Sequence, residues 1–337
     1  MSPLHADHAR RSRTGFTLTE LIVVVAIIAV LIGLLVPILG GVRTGARAAT
    51  TQSQMQNILT ASAQYVADNQ RLPGVFSQDD MGDPQNETNG FTNMENALLD
   101  LAGGVIDDPQ ADASTFLQVG PFNIPDRNVT VDIGRIGSDD GPGYLTLDDA
   151  DLARQDGGVD TREPQQVASE ANIAMPDIVD AFGYPLLMWT RNEFAGSTPL
   201  FARRNSSNRT EPAQYYWASN AGFLESENLG VRRDANTRRN STLSSFRSDD
   251  DQLARSIAGL IGDPASPVFE ASPAAPARAK GPIVLHSAGT DGFYGETNNN
   301  TFAQIVYNPT SGGVNDTVTE RDGLAEQIND IVIGGGS

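Results

Sequence analysis

Residues Leu21 to Leu39 form nineteen consecutive uncharged and almost wholly apolar side chains. A helix rises about 1.5 Å per residue, so the run matches a hydrocarbon core about 30 Å thick. Arg10, Arg11 and Arg13 stand ahead of it, a basic flank of the kind kept on the cytoplasmic side. One charge, Glu20, lies at the edge of the run, four residues after Phe16. A carboxylate entering a bilayer is costly without a partner, which marks Glu20 as a functional residue. An ordinary secretory signal has an apolar core of about 7–15 residues before a small-residue cleavage site. This run is longer, although Gly45-Ala46-Arg47-Ala48 follows it.

Gly15-Phe16-Thr17-Leu18-Thr19-Glu20, together with the Leu21-Ile22-Val23-Val24-Val25-Ala26-Ile27-Ile28 that follows, resembles the class III signal of type IV pilins and type II secretion pseudopilins. The resemblance implies cleavage after Gly15 by a membrane-embedded aspartic prepilin peptidase and N-methylation of the new terminus, Phe16. It implies that Glu20 neutralises a neighbouring subunit's terminal ammonium during assembly. It also implies a helix-kinking role for Pro37. Arg10-Arg11 alone fits a twin-arginine signal, and the apolar run alone fits a plain anchor. Neither accounts for the Gly-Phe junction together with the glutamate.

The balance of charge narrows the partners. The 337-residue chain carries a net charge of -19, and losing residues 1–15 takes it to -21. A surface that acidic is unsuited to sequence-independent nucleic-acid binding, so no nucleic-acid partner is expected. There is no cysteine, and His286 is the sole histidine after residue 15. Disulfides and thiolate or histidine-rich metal sites are thereby excluded, leaving core packing or an oxygen-ligated metal to hold the domain. No phosphate-binding glycine-lysine loop, zinc-protease helix or nucleophile elbow is present, and the chain is not expected to be an enzyme.

Beyond the apolar run, Arg47 to Asn69 contains no proline or glycine, and Met55, Ile58, Leu59, Ser62 and Val66 recur at helical spacing. One helix from Phe16 to about Asn69 is predicted, weakened near Pro37, Gly40 and Gly41. It should stop in Asp68 to Gly74, a cluster of breakers. Tyr65 to Pro73 also resembles the turn that ends the helix of major pseudopilins, with Gln70 in place of that family's glycine. Residues 75–174 read as loop-rich, with a short helix at Asn93 to Gly104 and a strand within Asn128 to Ile136. Asp180-Ala181-Phe182-Gly183-Tyr184-Pro185 resembles the turn opening the pseudopilin sheet, which makes Leu186 to Thr190 a strand. Tyr215 to Ala218 is a further strand candidate. The basic polar runs Arg203–Arg209 and Arg232–Ser241 read as solvated loops, and Ser266 to Pro282, rich in proline and alanine, as an extended connector.

Ile283 to Ser287 is a buried-strand candidate leading into Ala288 to Gly295. That loop resembles the serine-x-glycine-x-aspartate-glycine loop that holds a structural calcium ion in major pseudopilins. The resemblance implies Ca2+ bound by Asp291 with Asn329 and Asp330 beside the last strand. Taken by itself, Asp291-Gly292 is equally a tight turn.

These readings give an α+β, pilin-like fold: a long N-terminal helix, transmembrane in its first half, packed on a small antiparallel sheet with large loop insertions. Residues 1–15 are the leader, 16–70 the transmembrane and assembly helix, and 71–337 an extracytoplasmic domain with insertions at about 75–174, 197–282 and 297–328. The expected function is that of a structural subunit of a type II secretion pseudopilus in the inner membrane. Its partners are its own copies, prepilin peptidase, the assembly platform, minor pseudopilins and the membrane. A type IV pilus subunit serving adhesion, motility or DNA uptake is the alternative, followed by a membrane-anchored extracytoplasmic enzyme or binding domain.

Overall fold

Helix α1 (Leu18–Asn69) runs for 52 residues and is not interrupted at Pro37, Gly40, Gly41 or Gly45. The computed structural model describes residues 17–106, 116–137, 143–147, 152–153, 170–193, 200–208, 212–224, 243, 250–263, 267–268, 275–276, 278–290, 292, 294–295 and 330–335, without side chains at some helix and strand positions such as 34–39. The chain divides after Ala46 into two compact units, 1–46 and 47–337. In the first, the large apolar side chains from Leu18 to Ile32 are exposed. In the second, Met55, Ile58, Leu59, Ser62 and Tyr65 are buried along one helix face, while Val66 is half-buried. Ser62 fits there because its hydroxyl donates to the Ile58 carbonyl at 2.8 Å.

The helix ends as a left-handed cap. Gln70 has φ +56°, and its N–H donates to Val66 O at 2.9 Å. Its side-chain Nε2 reaches back to Ala67 O, also at 2.9 Å. Glycine usually holds this place because it has no Cβ to clash. The glutamine therefore sits in the conformation of the glycine it replaces.

The domain then builds α2 (Gln78–Met81), α3 (Asn86–Asn89) and α4 (Asn93–Ala102). The strands β1 (Phe116–Val119), β2 (Val129–Asp132) and β3 (Leu152–Ala153) follow, then α5 (Glu170–Ile173) and the strands β4 (Asp177–Ile178) and β5 (Leu187–Thr190). Next come β6 (Leu200–Arg203), β7 (Ala213–Tyr216), α6 (Ala221–Leu224) and α7 (Asp250–Ile261). β8 (Pro267–Val268), β9 (Ala275–Pro276), β10 (Ile283–Ser287) and β11 (Ile331–Gly335) complete the order. Helix α4 starts at a reciprocal cap: Thr92 Oγ1 accepts from Glu95 N, and Glu95 Oε2 accepts from Thr92 N. Buried asparagines fasten the loops around it. Asn96 bridges both main-chain groups of Phe76 at 2.9 and 3.0 Å, and Asn86 donates to Met81 O and Phe91 O.

The central sheet is antiparallel in the order β11-β10-β5. Strand period sends alternate residues to opposite faces, and both faces are covered. Met188, Ile283, Leu285, Ile331 and Ile333 join the core shared with α1 and α4. Leu187, Trp189, Val284 and Val332 join a second core made with α7, β7 and the 3-10 helix Trp217–Asn220. A Cβ placed on Gly335 would lie 3.2 Å from Leu59 Cδ1, so α1 lies close against the last strand.

The α+β expectation holds, and the sheet is buried on two sides. The strand expected at Tyr215 to Ala218 ends at Tyr216 and turns into the 3-10 helix. β6 and β7 pair in parallel, unlike the antiparallel central sheet. Arg203–Arg209 is less solvated than its composition implies, since Arg204 pairs with Glu87 and Asn205 donates to the same carboxylate. Within Ser266 to Pro282, β8 and β9 form a short antiparallel pair. Arg232–Ser241 lies outside the described residues.

Candidate functional site

At the start of α1, Thr17 and Glu20 form a capping box. Glu20 Oε2 accepts from Thr17 N and from Thr17 Oγ1, both at 2.8 Å. Glu20 N donates back to Thr17 Oγ1 at 3.3 Å. Two helix-end donors are satisfied this way, and Glu20 Oε1 takes part in none of these bonds. The carboxylate is exposed and can accept a second donor on that oxygen. The consecutive apolar residues after it cover every side of the helix rather than one stripe, the pattern of a helix made for an apolar surround. Among the described residues no helix is long and apolar enough to cross a membrane; the side chains of the apolar run are described only as far as Gly33.

In the second unit, two buried carboxylates tie the sheet to its loops. Asp180 Oδ1 accepts from Phe182 N at 2.8 Å and Tyr184 N at 2.9 Å, closing the turn in which Gly183 has φ +91°. Its Oδ2 accepts from Ser287 Oγ at the end of β10. The same turn is pinned to α1, with Ala181 N donating to Thr51 Oγ1 and Gln54 Nε2 to Val179 O. Asp330, the residue before β11, accepts from Gly295 N at 2.7 Å and meets His286 Nε2 at 2.8 Å, both through Oδ2. His286 is fully buried and edge-on to Tyr294. Burial pushes the Asp330 carboxyl up, and the pull of His286 and Gly295 in the other direction is smaller.

Asp330 Oδ1 is buried and has no hydrogen-bond partner among the described residues. A carboxyl oxygen without a partner suits calcium, which takes oxygen ligands and holds a carboxylate in its charged form. Asp291 and Asn329 lie outside the described residues. Among the described residues no group of three or more metal-ligating side chains comes together.

Residues 10–36 match the family described as the prokaryotic N-terminal methylation motif. The segment is that of a type IV pilin-like prepilin. The match takes in Gly15, Phe16, Thr17 and Glu20, and stops one residue short of Pro37. No curated protein and no solved structure matches the chain. The motif implies a membrane-anchored precursor that prepilin peptidase processes and that then assembles into a filament. Proteins of this family are structural subunits.

Of the residues expected to act in processing and assembly, Gly15 and Phe16 lie outside the described residues, and Pro37 lies inside α1. Thr17 was readable as a cap, because threonine three residues before glutamate ahead of an apolar run is the capping-box signature. The pairing of His286 with Asp330 had no such signal, since 44 residues separate them.

Proposed function

We propose that this prepilin is a structural subunit of a type II secretion pseudopilus. It waits in the inner membrane, is cut after Gly15 and N-methylated at Phe16, and polymerises through its N-terminal helix with the assembly platform and minor pseudopilins. The observation that carries the reading is the methylation motif over residues 10–36. The choice of pseudopilus is supported by the left-handed cap at Gln70, the Asp180–Gly183 turn that opens β5, and the antiparallel sheet closed by a last strand behind Asp330. Glu20 contributes a carboxylate whose Oε1 is open to a neighbour's terminal ammonium.

Calcium belongs to the same proposal. Asp330 through Oδ1, with Asp291 and Asn329, would hold the ion. Bound there, it would neutralise carboxylates and tie β11 to the loop after β10.

Intact-mass measurement of the native protein tests the processing: the chain should begin at methylated Phe16. A start at Ala46 or later would replace the prepilin reading with an ordinary signal peptide. Deletion of the gene should then abolish export of a secreted protein. Long surface fibres on wild-type cells, with export unchanged in the deletion, would make the protein a pilus subunit instead.

A further inference from the structure

His286 stands near the end of β10, on the sheet face it shares with Val284 and Ala288. In the register it lies opposite Leu187 of β5 and Val332 of β11. These neighbours are all apolar, and His286 itself is fully buried. Packing at this place calls for one more aliphatic side chain. A buried imidazole is costly unless its polar atoms are satisfied, and Nδ1 has no hydrogen-bond partner among the described residues. What the histidine gains is Asp330. Two residues before Val332, Asp330 falls on the same face, diagonal to His286.

The contact gives the two carboxyl oxygens different work. Oδ2 meets His286 Nε2 at 2.8 Å and accepts from Gly295 N at 2.7 Å, while Oδ1 is the oxygen without a partner. With both contacts on one oxygen, the carboxyl group cannot turn without losing them. The imidazole is braced in its turn, edge-on to Tyr294, whose hydroxyl donates to Pro185 O. After burial itself, Asp180, Asp177 and Asp330 push the Tyr294 pKa up, so three carboxylates lie near one buried ring. Buried charge of one sign calls for a counter-charge or a metal ion.

We propose that His286 is the positioning residue of the calcium site: through Nε2–H it holds Asp330 Oδ2, together with Gly295 N, so that Oδ1 is presented to the ion. This role rests on the calcium reading given above. Calcium takes oxygen ligands, so the imidazole stands behind the carboxylate and outside the ion's own shell. A charged carboxylate only accepts hydrogen bonds, so Nε2 carries the hydrogen. Removing a group that orients a metal ligand typically lowers metal affinity about 10–100-fold.

Calcium titration of the solubilised full chain tests the role, read as a dissociation constant beside the melting temperature in chelator. His286→Gln brings an amide nitrogen to the place of Nε2 and should bind calcium nearly as wild type does. His286→Leu fills the space among Leu187 and Val284 without a donor, and should bind calcium at least about tenfold more weakly. A histidine that only supports the fold would do otherwise: His286→Leu would melt lower in chelator with its dissociation constant unchanged. That result overturns the role and leaves the calcium reading standing. Wild type that binds no calcium overturns both. A measurement on wild type covers the case in which His286→Leu does not fold. His286 is the only histidine after residue 15, so its ring nitrogen resonances are assignable by their loss in His286→Gln. Nε2 should carry a hydrogen, and its resonance should shift on calcium addition with the midpoint of binding. A ring that does not respond to bound calcium, or an Nε2 without a hydrogen in the bound state, overturns the role.

Discussion

Gln70 shows how one residue can be legible in type and surprising in conformation. Its φ of +56° is a glycine's, and holding a Cβ there costs about 1–2 kcal/mol. The bond from its side chain to Ala67 O is exposed and returns little of that. Gln70→Gly should therefore stabilise the domain by about 1 kcal/mol, partly offset by the freer unfolded chain, and thermal unfolding should show a raised midpoint. Glu95 is a second residue whose setting the sequence hides. It is buried, and desolvation pushes its carboxyl up to about 7 against the opposing bonds from Thr92. The fold thus favours the protonated form. Its contribution to stability is complete below the unfolded pKa of 4.5 and is lost as pH rises through about 7. Glu95→Gln keeps an acceptor for Thr92 N without the charge. The variant's melting temperature should fall less than the wild type's between pH 4.5 and 7; identical slopes would mean that Glu95 titrates alike in the folded and unfolded chain. The Thr-x-x-Glu spacing could be read directly, because capping acts within one turn. Burial depends on which distant segments cover the helix, and no local pattern records it.

At the scale of elements, local periodicity served well where one element decides its own face. Met55, Ile58, Leu59 and Ser62 of the α1 stripe, the short α4 and the apolar run of β10 lie where their patterns place them, while Val66 is half-buried and its neighbour Tyr65 takes the buried place. The two-sided burial of the sheet was less legible. α7 and the turn after β7 come from a stretch whose polar runs conceal the buried Trp217, Leu253 and Ile257. The loop before β11 is where calcium can be tested, because among the described residues β11 is an edge strand joined to the sheet through β10. A ligand that binds only the native state stabilises it by about 2.7 kcal/mol at a hundred times its dissociation constant. The solubilised chain should melt higher in calcium than in chelator, and Asp291→Ala should remove the difference. Magnesium should substitute poorly, since it prefers a tighter octahedron and keeps its water. Equal melting of the wild type in calcium and chelator would leave the His286–Asp330 contact and the Gly295 N–H as the ties between β11 and this loop.

For the whole molecule, the deciding question is what Glu20 does in a chain cut after Gly15, as the proposed function requires. The geometry shows one role, and the proposed assembly adds a second that can be separated from it. Through Oε2 it caps its own helix, and through Oε1 it would meet a neighbour's ammonium in the proposed fibre. Glu20→Ala removes both, so failed assembly in that variant would not say which role matters. Glu20→Gln separates them, because glutamine can complete a capping box with its amide oxygen but carries no charge. A carboxylate in an apolar surround gains far more from an ammonium than an amide does. Glu20→Gln should therefore be inserted and cleaved normally, with Phe16 exposed as the new terminus, yet fail to form fibres to the same degree as Glu20→Ala. Thr17→Val keeps the charge, disturbs only the cap, and should assemble at a reduced but measurable rate. Counting fibres or sheared subunits beside the mass of the cleaved chain reads both steps in one experiment. If Glu20→Gln assembles like wild type while Thr17→Val does not, the glutamate is there to start the helix, and the attraction between copies must come from another part of the chain.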